Sequence, residues 1–151
     1  MPLITAVFDT NTILQAVLSE TGPAMVCVRS VLNGKVQLIT TDEIVAELRG
    51  ILARPSLNLK YPQLSGQPTL SLIDSILERA SLLAQPRRIL TLDRDPADEV
   101  FINLAIDSGA NFLVSRDHDL LNLRGDSAFS SQFPDLKIVT PVGFLEIVRA
   151  I

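Results

Sequence analysis

Apolar residues change their spacing repeatedly along this 151-residue chain, and each change marks a new element. Leu3–Phe8 is a short apolar run with β-branched members that stops at Asp9, the pattern of a strand buried on both faces. Helical spacing takes over across residues 12–18. Gly22-Pro23 interrupts it, and a second helical stretch runs to about Leu32, where Asn33-Gly34 ends it. Val36–Ile39 reads as the next strand. Thr40 and Glu43 stand at capping-box spacing ahead of a helix striped by Ile44, Leu48, Ile51 and Leu52, which stops before Pro55.

Residues 55–68 carry Pro55, Pro62 and Pro68 and no clear period, so an exposed connection is predicted. Pro68 suits the first turn of a helix over Thr69–Ala84, with Leu72, Ile73, Ile76, Leu77 and Ala80 as its core face. A strand near Arg88–Leu92 follows, then an acidic turn at 93–96 and a helix over Ala97–Ser108 closed by Gly109. Phe112–Ser115 is a strand, Gly125–Pro134 a polar stretch, Leu136–Val139 a strand and Pro141–Arg149 the last helix. Strands alternating with helices predict an α/β fold: a three-layer α/β/α sandwich with a mostly parallel central sheet, as one domain over residues 1–151.

Composition narrows the class. With 47% hydrophobic and 20% charged residues the chain is not of disordered type. One cysteine, Cys27, excludes an intrachain disulfide, and one histidine, His118, leaves too few nitrogen ligands for a zinc site of that kind. No apolar run approaches 18 residues and no basic leader precedes one, so a cytoplasmic protein without a membrane partner is expected. The net charge of −4 and thirteen scattered Lys and Arg make a poor default surface for nucleic acid. Any phosphate-binding role must draw positive charge from elsewhere, and divalent cations would supply it.

In parallel sheets ligands sit outside the carboxyl ends of the strands. The residues that follow the strands here are mostly acids. Asp9-Thr10-Asn11 follows the first strand, and Arg116-Asp117-His118-Asp119 follows the strand ending at Ser115. Asp9 or Asn11 alone would also serve as a helix cap. Asp98 shares a helical face with Phe101, Ile102 and Ala105 and so points to the packed side, unless it serves only as a helix-start acid. Glu99 points instead toward Asn103 and Asp107, the wetter side. Glu47 borders an apolar stripe beside Ile51, a position at which a glutamate is commonly just solvated. Converging carboxylates must share cations or protons, because like charges raise one another's pKa values. Oxygen donors without His or Cys suit Mg²⁺ or Mn²⁺, and such a site permits metal-assisted phosphodiester hydrolysis.

At these residues the chain resembles the PIN domain family, and within it the VapC-like toxins of prokaryotic toxin–antitoxin pairs. The matching segments are Val7-Phe8-Asp9-Thr10-Asn11, residues 43–48 around Glu47, Arg94-Asp95-Pro96-Ala97-Asp98-Glu99 running into Phe101, and residues 113–120 around Asp117. Ile138-Val139-Thr140-Pro141 with Phe144-Leu145 closes the set, in the family's order and across essentially the whole chain. The resemblance implies a metal-dependent endoribonuclease, a hydrolase with Asp9, Glu47, Asp98 and Asp117 as catalytic acids holding one or two Mg²⁺ or Mn²⁺. Asp119 would touch a second metal or its waters, with Asn11 and Ser115 as supporting polar residues. Its products would carry 5′-phosphate and 3′-hydroxyl ends. Ala97 departs from the pattern where this branch often has another acid, and Ser115 stands for the commoner Thr. The implied partners are an RNA substrate, an antitoxin protein and a second copy in a homodimer or higher assembly.

Arg94, Arg116 and His118 are candidates for flanking phosphates, although His118 alone reads more simply as a surface residue. Tyr61 and residues 55–68 offer a flap or an antitoxin dock, or an ordinary surface loop. A different class also fits the acids: a non-catalytic module whose acidic pocket holds a cation or a protein partner. A phosphatase using Asp9 as nucleophile fits poorly, because Asn11 stands where a second acid is wanted.

Overall fold

The computed structural model describes residues 3–94 and 96–151, so Asp95 of the acidic turn lies outside the described residues. Five strands form one sheet: β1 (Ile4–Phe8), β2 (Val36–Thr41), β3 (Ser81–Leu83), β4 (Phe112–Val114) and β5 (Lys137–Val139). Their order is β3-β2-β1-β4-β5 and every pairing is parallel. The helices are α1 (Thr10–Leu18), α2 (Pro23–Leu32), α3 (Asp42–Leu52), α4 (Pro55–Lys60), α5 (Gln67–Arg79), α6 (Glu99–Ser108), α7 (His118–Asn122), α8 (Ser127–Gln132) and α9 (Pro141–Arg149).

Alternation along the strands builds two cores. Ala6, Phe8, Val36, Leu38 and Val114 face one side, where α1, α2, α5 and α9 cover them. Val7, Ile39, Leu113 and Ile138 face the other, under α6, α7 and α8. Successive strand residues point to opposite faces, so a run that is apolar at every position requires helices on both. The predicted three-layer α/β/α sandwich is the observed architecture, with a sheet that is parallel throughout.

Several local expectations are corrected. Residues 55–68 are not an open connection: they hold α4 and a 3₁₀ turn at Pro62–Ser65, and Leu64 of that turn is fully buried. The helix expected over 69–84 is α5, which begins at Gln67 and ends at Arg79, and Ser81–Leu83 then leaves as β3. A short apolar run such as Leu82-Leu83 satisfies either period. Pairing with β2 at the sheet edge decides it. The strand expected near 88–92 does not form. The cap of α3 is Thr41, whose hydroxyl accepts from Ile44 N–H at 3.2 Å, in place of the Thr40–Glu43 box. The polar stretch 125–134 contains α8, capped by Asp126.

Residues 87–92 instead lie along α6, held by its side chains. The Asn103 amide accepts from Ile89 and Leu90 N–H at 2.9 and 2.7 Å and donates to the Leu90 carbonyl at 2.9 Å. Glu99 Oε1 accepts from Leu92 N–H at 2.8 Å and pairs with Arg88, while Asp107 pairs with Arg87 at 2.8 Å. Glu99, Asn103 and Asp107 recur every four residues, one face of a helix. The face read as the wetter side is thus the one that clasps this segment, and Asn103 is buried.

Candidate active site

The strand order reverses between β1 and β4, and in open parallel sheets ligands bind outside the carboxyl ends at such a switch point. Asp9 follows β1 and Asp117 follows β4 three residues on, so the topology sets both acids at that crevice. Each is also a cap: Asp9 accepts from Thr12 N–H at 2.8 Å and Asp117 from Leu120 N–H at 3.0 Å. Capping and facing the crevice are not alternatives here, because a carboxylate offers about four lone-pair directions.

Asp9 is only 3% exposed and is held from two sides. Thr12 donates its N–H and its hydroxyl to Oδ1, the latter at 2.6 Å, and Ser115 donates its hydroxyl to Oδ2 at 2.6 Å. Ser115 Oγ in turn accepts from Asp117 N–H at 2.9 Å. One fully buried hydroxyl therefore ties the two strand-end acids together. Burying a carboxylate is costly unless donors meet it, and these three do so.

Asp98 arrives from a different element. A 3₁₀ turn at Pro96–Asp98 precedes α6, so Asp98 is the residue before the helix and not part of its first turn as expected; it is half-buried. Glu47 comes from α3 and is exposed. Asp9, Asn11, Glu47, Asp98 and Asp117 line one cleft of about 250 Å³, walled by Ile51, Ala97 and Phe101. Thr10, which sequence reasoning passed over, lines it too. Its hydroxyl is buried and finds no hydrogen-bond partner among the described residues. A buried β-branched hydroxyl beside a strand-end acid was the available signal.

The other candidates are not among the cleft-lining residues. Asp119 lies 3.8 Å from Arg94, which is an ion pair, and Arg94 is exposed. Arg116 and His118 are also exposed, the latter opening α7.

All of the polar side chains lining the cleft present oxygen, save for the Asn11 amide nitrogen, and the Thr10 hydroxyl lacks a partner there. No three His, Cys, Asp or Glu among the described residues stand close enough to hold one ion between them. That geometry does not suit a dehydrated all-protein cage. It fits an ion that keeps several waters and takes one or two carboxylates directly, which is how Mg²⁺ is usually held.

The chain is thus an α/β protein with an all-parallel sheet and an acidic crevice at its switch point. The PIN domain model matches residues 5–119, and the chain belongs to that family. PIN domains are in general nucleases that use divalent metal ions. An uncharacterized protein of Methanocaldococcus jannaschii, MJ1680, is 27% identical over 144 residues, covering 95% of this chain and 90% of the relative. The crystal structure of PAE2754 from Pyrobaculum aerophilum superposes with a TM-score of 0.56 at 14% identity, covering 98% of this chain and 91% of that one. That likeness supports the fold. No helix among the described residues is long and apolar enough to cross a membrane.

Proposed function

We propose that this PIN domain is an Mg²⁺- or Mn²⁺-dependent endoribonuclease. The observation that carries the reading is the cleft in which Asp9, Glu47, Asp98 and Asp117 meet from four separate elements. One or two of these four would bind the cation directly and the others through its waters, with Asn11 and the Thr10 hydroxyl also toward those waters. When bound, the cation activates water and neutralises charge developing on the phosphate. The chain's own part is positioning. Ser115 and Thr12 orient Asp9, and Ser115 also fixes the backbone at Asp117. Phe101 and Ile51 wall the cleft against bulk water. Single-stranded or looped RNA suits an open cleft, because its backbone can bend into it. Arg94 and Arg116 would meet flanking phosphates, and Asp119, paired with Arg94, would act on the cation only through water.

The motifs quoted above extend the proposal to a VapC-like toxin with an antitoxin partner and a homodimeric state. Pure protein incubated with a mixed structured RNA tests the core of it. Cleavage in Mn²⁺ or Mg²⁺ that EDTA stops and Asp98→Asn reduces by orders of magnitude is the expected result. A folded protein that binds Mn²⁺ and cuts no RNA would replace the enzyme with the acidic binding module.

A further inference from the structure

A second cavity, of about 460 Å³, shares no lining residue with the carboxylate cleft. It opens beside β5, an edge strand of the sheet, between α8 and α9. Phe112, Phe129, Phe133 and Ile147 form much of its wall, and Arg124 and Lys137 stand at it. No acidic residue lines it. Arg124 is steered by its Nε–H, which donates to the Leu121 carbonyl at 3.0 Å. Neither Arg124 nor Lys137 forms an ion pair among the described residues.

Two cations beside a cavity that no acid lines leave it a positive rim in a chain of net charge −4. Its volume falls in the range of small-molecule sites, roughly 300–1,000 Å³. The aromatic rings argue against a platform for successive nucleotide bases, which needs open faces: Phe129 is buried and Phe133 half-buried, packed on each other at 5.2 Å. They form part of the wall of the cavity instead. We propose that this cavity binds a small amphipathic anion, an apolar ring or chain carrying one carboxylate, sulfonate or phosphate. The body fills the space between the phenylalanines and Ile147, and the anionic group meets Arg124 and Lys137. This site is independent of the nuclease reading.

The test is a fluorescence titration with 1-anilinonaphthalene-8-sulfonate, followed by competition with decanoate in one arm and phenyl phosphate in the other. The arms separate a fatty carboxylate from an aromatic phosphate. Saturable one-site binding is expected, weakened about tenfold or more by the double change Arg124→Glu and Lys137→Glu. Ser130→Trp, which sets a large ring at the mouth of the cavity, should abolish it with an unchanged circular dichroism spectrum. Absence of saturable binding overturns the proposal, as does binding that all three substitutions leave unchanged. Loss of RNA retention in the charge-reversed variant, with dye binding intact, also overturns it and assigns the face to nucleic acid.

Discussion

Ser115 is fully buried, and its single hydroxyl both donates to Asp9 and accepts from Asp117 N–H. Ser115→Ala leaves a buried carboxylate short of one donor, which costs about 2–3 kcal/mol for a hydrogen bond to a charged group. Urea denaturation should show that loss, and Ser115→Thr, which keeps the hydroxyl, should recover most of it. Thr10 makes the opposite case. Its hydroxyl is buried without a partner, so Thr10→Val should be neutral or stabilising by up to about 1 kcal/mol in EDTA. The same variant should gain less than the parent in melting temperature when Mn²⁺ is added. Cys27 needs no partner from the site: burial pushes its thiol up to about 12, and it donates weakly to the Pro141 carbonyl. Thiolate is the reactive form, so Cys27 should resist a disulfide reagent at pH 8 and react only on unfolding. The placement of Asp9 and Asp117 at strand ends was legible at this scale, because strand-end acids are a local pattern. The part played by Thr12 and the double contact of Ser115 were not, because the latter joins residues more than a hundred apart.

Among elements, the segment at 87–92 and its helix are the most informative. An extended segment with no strand partner must satisfy its backbone some other way. Here Asn103 takes three backbone groups and Glu99 a fourth. Asn103→Ala should cost roughly 2–4 kcal/mol, at about 1 kcal/mol for each lost bond. Limited proteolysis should then cut within 84–94 before the rest of the chain opens. Leu92 N–H and then Arg88 hold the Glu99 carboxyl below its usual range, and the Arg87 side chain and then its backbone N–H do the same for Asp107. A carboxylate with a lowered native pKa contributes stability that is present above its unfolded value and lost as pH falls through the native one. Attachment of this segment should therefore be complete above the ordinary carboxylate range, near pH 4, and loosen below it. Amide exchange at Leu92 followed down that range checks the point, and Glu99→Gln should flatten the response. Spacing revealed that Glu99, Asn103 and Asp107 share a face. It did not reveal what the face was for, since helix periodicity carries no information about a distant segment.

For the whole molecule, the acidic charge and the few cations near the cleft set how RNA would bind. With Arg94 and Arg116 as the phosphate contacts, log affinity against log salt should have a slope of only about −1.4 for a single strand. A filter-binding series in Ca²⁺, with cleavage suppressed, measures it. A slope several times steeper would mean that a basic surface outside these residues engages RNA.

The fold class was legible because two-face burial and alternating periods are written locally, strand by strand and helix by helix. So were the strand-end acids. Tertiary structure alone decided the strand order, and with it the switch point that sets Asp9 beside Asp117. It also decided which short apolar run becomes the edge strand, because pairing with β2 and not propensity selects Ser81–Leu83 over residues 88–92. The physical reason is the same in both cases. Periodicity tells a residue which way to face, while the partner it faces is chosen by contacts between segments far apart in the chain.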